Sequence, residues 1–175
     1  MARGAGQLGL SATAQAARPG GVPPTQLIYA QPGEAPSGFK ARVRAVAAAA
    51  PGRFTSRSYR FPVALVAWHD APVGVDIERV EPCPPGFAAS ISTPSELGRT
   101  TGPDSSKAQD TISLWCSKEA LAKALGDALR YDPRRLESPL AWSDGRSGPW
   151  CAVALDVPDG HVAWLCWRER EPARP

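Results

Sequence analysis

Two stretches of this chain gather residue types that handle divalent cations and phosphates. They are Val73-Gly74-Val75-Asp76-Ile77-Glu78 and Trp115-Cys116-Ser117-Lys118-Glu119-Ala120-Leu121-Ala122-Lys123-Ala124. In the first, Asp76 and Glu78 stand two residues apart in a β-branched run, so a strand would point both carboxylates to one side. In the second, Glu119 sits between two lysines at helical spacing. Magnesium takes oxygen ligands, commonly one or two carboxylates completed by substrate phosphates and water. Three acids and two ammonium groups brought together would therefore make a magnesium site facing a phosphate-rich ligand.

The lysines stand out against their background. Sixteen of the 20 basic residues are arginine, and two of the four lysines flank Glu119. Lysine serves phosphate as a compact point charge, where arginine is a planar fork. Plainer readings exist for both motifs. Glu119 and Lys123 have the spacing of an ordinary helical surface pair, and Asp76 and Glu78 could line a solvated strand face. The joint occurrence of the two motifs favours the chemical reading.

The elements that must position these residues are a hairpin and a long helix. Val63 to Trp68 and Val73 to Glu78 read as two strands joined by the turn His69-Asp70-Ala71-Pro72. Thr111 to Leu129 reads as the best helix, with Leu114, Leu121, Leu125 and Leu129 forming a buried stripe. Upstream, Thr25 to Ala30 suggests a short strand and Phe39 to Ala50 a helix ended by Pro51-Gly52. Between the motifs, Ser92-Thr93-Pro94-Ser95-Glu96 opens a helix with Thr93 as cap and Glu96 three residues on. Arg99 to Asp110 reads as a loop. Leu140 to Trp142, Trp150 to Leu155 and His161 to Arg168 read as strands, with Pro158-Asp159-Gly160 a turn.

At 175 residues with 43% apolar content, one domain with a core is expected. Residues 1–24 are Gly/Pro-rich and aperiodic and read as disordered, leaving 25–175 as the domain. No apolar run approaches the roughly 20 residues of a membrane span, and no compact signal-like run opens the chain, which points to a cytoplasmic protein without membrane contact. The abundant Ala, Arg, Gly and Pro with a single Met suggest a GC-rich bacterial genome. The net charge of +3 suits an anionic partner. No basic stripe interleaved with aromatics appears, so nucleic-acid binding is unsupported. Cys83, Cys116, Cys151 and Cys166 lack metal-like spacing with one another or with His69 and His161, and read as reduced, mostly buried thiols.

Gly74-Val75-Asp76-Ile77-Glu78 followed by Trp115-Cys116-Ser117-Lys118-Glu119-Ala120-x-x-Lys123 resembles the signature of the 4′-phosphopantetheinyl transferases. Glu78, two residues after Asp76, is similar to the surfactin-synthetase type. The resemblance spans about residues 58 to 168. It implies an α/β (α+β) fold of two pseudo-symmetric halves with antiparallel-rich sheets. The first half, about 25–72, is abbreviated, and the second covers about 73–175. It implies a magnesium-dependent transfer of phosphopantetheine from coenzyme A to a serine of an apo acyl or peptidyl carrier protein. Asp76, Glu78 and Glu119 would hold magnesium, Lys118 and Lys123 would contact coenzyme A phosphates, and Glu119 would help deprotonate the serine. The family's Ser-His-Ser element falls on Ser58-Tyr59-Arg60, with Tyr59 in the histidine's place and Arg60 able to supply charge at the coenzyme A site. Arg42, Arg44, Arg53 and Arg57 are further basic candidates there. His69 lies in the turn and takes a structural or solvent role. Arg130, Arg134 and Arg135 are candidates for meeting an acidic carrier protein. Two halves in one chain would suit a monomer. Two other readings remain open: a relic that binds coenzyme A or a carrier without turnover, and another magnesium-dependent phosphate-ester enzyme.

Overall fold

The computed structural model describes residues 21–97, 105–128 and 130–170. Residues 1–20, where most of the proposed disordered segment falls, lie outside them, as do Leu129 and residues 98–104. Strand β1 (Thr25–Tyr29) is followed by helix α1 (Pro36–Ala49), β2 (Phe54–Arg60), β3 (Val63–His69) and β4 (Val73–Arg79). Then come α2 (Phe87–Ile91), α3 (Ser105–Leu125), three short 3-10 turns, β5 (Arg146–Ser147), β6 (Trp150–Ala154) and β7 (His161–Arg168).

The strands form two antiparallel sheets, ordered β1-β3-β2 and β4-β7-β6-β5. The expected hairpin between Val63–Trp68 and Val73–Glu78 is therefore corrected. β3 pairs with β1 and β2, whereas β4 pairs with β7. The turn at His69 carries the chain from one sheet to the other. His69 Nδ1 accepts a hydrogen bond from Ala71 N at 3.1 Å there.

Alternation explains the stacking. Val63, Leu65 and Ala67 of β3 meet Val73, Val75, Ile77 and Leu165 in a core between the sheets. Ala64 and Val66 point the other way, into a cluster with Phe39, Val43 and Ala47 of α1. With both faces covered, β3 reads as a continuous apolar run. On the far side of the second sheet, Ala120, Leu121 and Ala124 of α3 pack on Ala152 and Cys166. The layers run α1, first sheet, second sheet, α3.

Local sequence accounts for most boundaries. Pro36 suits the first turn of α1, where a missing N–H costs nothing, so the helix begins three residues before the predicted Phe39. α3 begins at Ser105, so the predicted loop is helical from there onward. In the expected α3 stripe, Leu114 and Leu121 are buried but Leu125 is exposed. The segment at Leu140 is a 3-10 turn, Pro139–Ala141, rather than a strand; Pro139 opens it and the Ser138 side chain accepts from Leu140 N. All four cysteines are free, three of them buried. Among the described residues, no helix is long and apolar enough to cross a membrane.

Candidate active site

Edge strands β2 and β4 of the two sheets lie side by side, joined by side chains. Three alternate residues of β2 reach β4. Ser56 Oγ accepts from Val75 N at 3.0 Å, Ser58 Oγ donates to Asp76 Oδ1 at 2.7 Å, and Arg60 Nε donates to Glu78 Oε2. Val73, Val75 and Ile77 enter the core, so the other face of β4 carries Gly74, Asp76 and Glu78 toward α3.

Gly74 sets how closely α3 can approach. A Cβ there would stand 2.0 Å from Ala120 O and 2.5 Å from Ala124 N, so helix backbone fills the space a side chain would need. This contact brings Lys123 over the strand. Its Nζ donates to Asp76 Oδ1 at 2.6 Å and to Val75 O at 3.2 Å.

The three predicted carboxylates have different surroundings. Asp76 is 3% exposed, and its Oδ2 is buried without a hydrogen-bond partner among the described residues. Glu78 is buried too, and its Oε1 accepts from Trp115 Nε1 at 3.3 Å. Burial pushes its carboxyl above the usual value, and the Arg60 guanidinium only partly offsets this. Glu119 is half-buried and accepts at Oε1 from the Tyr131 hydroxyl at 2.7 Å. Its carboxyl is also raised, by burial first and by the charge of Asp76, against the pull of Tyr131 and Lys123.

Among the described residues, no group of three or more His, Cys, Asp or Glu side chains forms a cluster able to hold a metal ion. The expected three-carboxylate set is thus not assembled as a cage. Lys123 takes one oxygen of Asp76, Arg60 one of Glu78 and Tyr131 one of Glu119. The unpartnered Asp76 Oδ2 nevertheless fits a cation, because an unpaired buried carboxylate oxygen is costly. A magnesium ion there would take its remaining ligands from few protein groups, phosphates and water.

Lys118 is corrected more sharply. Its side chain is wholly buried, and Nζ donates to Ile91 O at 2.6 Å, Glu96 Oε2 at 2.5 Å and Pro133 O at 2.8 Å. All three donors of the ammonium are satisfied inside the protein, so it is not presented to a phosphate. Glu96 fulfils its predicted capping part by accepting from Thr93 N at 2.8 Å, and also accepts from Ser138 N at 2.8 Å. Burial would raise the Glu96 carboxyl, but Lys118 and these amides hold it below the usual range.

A groove of about 830 Å³ opens beside β2 and the end of α3. Ser58, Tyr59, Arg60 and Lys123 line it, together with Arg57, Asp127 and Arg130. Tyr59 also packs on the α1 cluster, with Lys40 Nζ 4.9 Å from its ring centroid. Arg130 thus faces this groove, while Arg134 pairs with Asp132 at 2.9 Å. A second groove of about 530 Å³ shares Arg60 and Glu78 with the first and is walled by Phe61, Phe87 and Trp115.

The motif spacing pointed to neither Tyr131 nor Ser56. Each lies outside it and reaches the site only through the fold. Trp115 stood in the motif, but its bond to Glu78 depends on how α3 lies against β4.

None of the curated proteins matches the chain at a significant level. The 4′-phosphopantetheinyl transferase superfamily is matched over residues 72–162, just over half of the chain, spanning β4, α3 and their site residues. The chain belongs to the 4′-phosphopantetheinyl transferase superfamily, a family of transferases.

Proposed function

We propose that this protein transfers 4′-phosphopantetheine from coenzyme A to a serine of an apo acyl or peptidyl carrier protein, using magnesium and releasing adenosine 3′,5′-bisphosphate. The observation that carries this reading is Asp76. Its buried, unpartnered oxygen stands beside Ser58 and Lys123, which line a groove walled by Arg57, Arg60 and Arg130.

In this reading the groove takes the adenosine bisphosphate end of coenzyme A, with Arg57, Lys123 and Arg130 as its cations. Asp76, with Glu78 and Glu119 on the same side of the strand and helix, would hold magnesium, and substrate phosphates and water would complete its ligands. Magnesium held there would neutralise charge on the pyrophosphate linkage and ease departure of the adenosine bisphosphate. The serine oxygen attacks the phosphorus bearing pantetheine, a new phosphoester forms, and the P–O bond to adenosine bisphosphate breaks. Glu119 accepts the serine proton directly or through water. Lys123 steadies negative charge on the leaving phosphate. The chemistry rests on positioning and electrostatics.

Glu78 supports the surfactin-synthetase type within the family. The path strand–helix–hairpin, with the last strand central beside the first, occurs in both β1-β3-β2 and β4-β7-β6. That shared path supports two related halves, about 25–72 and 73–175, the first being the shorter. A cytoplasmic monomer fits this reading.

The test is release of adenosine 3′,5′-bisphosphate from coenzyme A with magnesium and a panel of apo carrier proteins. Release that requires a carrier supports transfer. Coenzyme A binding without release favours a relic binder, and phosphate release from simple esters without a carrier favours a hydrolase.

A further inference from the structure

Tyr131 lies outside both motifs, eight residues beyond Lys123, yet it makes the one hydrogen bond that Glu119 accepts among the described residues. The chain is built to bring it there. Gly126, with φ +81°, ends α3 in a Schellman motif: Gly126 N donates to Lys123 O at 3.1 Å and Asp127 N to Ala122 O at 2.9 Å. Arg130 N and Tyr131 N then both donate to Asp127 O, turning the chain back along the helix. Asp132 accepts from Arg134 N and opens the next 3-10 turn. Pro133 O is held by the buried ammonium of Lys118, the helical neighbour of Glu119. The segment carrying the phenol is therefore pinned on both sides of Tyr131. Burial also keeps the phenol protonated and so a donor.

A glutamate has three side-chain torsions, and Glu119 feels the like charge of Asp76. Something must hold it in place. We propose that Tyr131 is the positioning residue for Glu119, fixing Oε1 so that Oε2 faces the reacting groups. This rests on the function proposed above. It assigns Lys118 an indirect part, as the buttress of the segment that carries Tyr131.

The test uses the full chain and Mn²⁺ as the probe ion, followed by electron paramagnetic resonance, beside steady-state transfer kinetics. Tyr131→Phe removes one oxygen and keeps the ring packing. Outer groups that orient metal ligands typically contribute about 10–100-fold to metal affinity or activity. The expected result is a loss of that size in Mn²⁺ affinity and kcat, with KM for coenzyme A little changed. In a cycle with Glu119→Gln, the effect of Tyr131→Phe should largely vanish, because its route runs through the carboxylate. A phenol that served packing alone would lower the unfolding midpoint and leave Mn²⁺ affinity and kcat untouched, which would overturn the inference. So would an equal effect in both backgrounds. A wild-type protein that neither binds Mn²⁺ nor transfers would overturn the functional reading itself.

Discussion

Lys118 Nζ and Glu96 Oε2 stand 2.5 Å apart with both side chains almost entirely removed from solvent. Removing one partner of a buried pair leaves the other charge uncompensated, typically at a cost of about 3–5 kcal/mol. Lys118→Met should lower unfolding free energy by roughly that amount in urea titration. Coenzyme A affinity of the folded fraction should stay near wild type. A variant of normal stability that binds coenzyme A poorly would return Lys118 to the phosphate-binding part expected from the resemblance.

Gly74 carries a different kind of constraint. Backbone atoms of α3 occupy the position of its missing Cβ. Gly74→Ala must push the helix off β4 and draw Lys123 away from Asp76. Overpacking commonly costs about 1–3 kcal/mol, and rigid backbone on the other side places this case at or beyond the upper end. Thermal unfolding should show the loss, with transfer falling further than stability does. A fully active, fully stable Gly74→Ala protein would show that the close approach is dispensable.

Asp76 is where β2, β4 and α3 meet, through Ser58 and Lys123. Asp76→Asn keeps the shape and removes the charge. Transfer should drop by more than the roughly 10–100-fold typical of outer-shell changes, while circular dichroism stays unchanged. Retained activity would remove Asp76 from the metal assignment.

Two acid-side transitions should separate. In the metal-free protein burial raises the Glu119 carboxyl above the ordinary 4.5, so Mn²⁺ binding that needs its ionised form should weaken as pH drops toward a value above 4.5. Glu96 titrates below 4.5. Its folded value is depressed, so the stability it contributes is present above the unfolded value and is lost only as pH falls through the lower folded one. Mn²⁺ affinity followed against pH beside unfolding midpoints should therefore show binding lost at higher pH than Glu96-dependent stability. Coincident transitions would contradict this, and Glu96→Gln identifies the second one.

The closeness of the two motifs was more legible than the wiring of the sheets. Asp76, Glu78, Glu119 and Lys123 were readable because their types and spacing are dictated by one strand face and one helix turn. Lys118 misled for the same reason: adjacency to Glu119 on a helix does not put both on one face, and residue 118 turns inward. β2 gave no strand signal because Phe54–Arg60 is largely polar, its serines and arginine serving β4 instead of a core. That omission produced the mistaken hairpin, since β3 and β4, adjacent in sequence and both apolar, looked like natural partners. Tyr131 was invisible because its position depends on the reversal at Gly126.

Phosphopantetheine transfer is tested by intact-mass spectrometry of apo carrier proteins incubated with this protein, coenzyme A and magnesium. The expected result is a gain of about 340 Da, the phosphopantetheine arm that coenzyme A carries, on at least one carrier, lost with Asp76→Asn. No gain on any carrier of a broad panel, with the protein folded and coenzyme A bound, would contradict it.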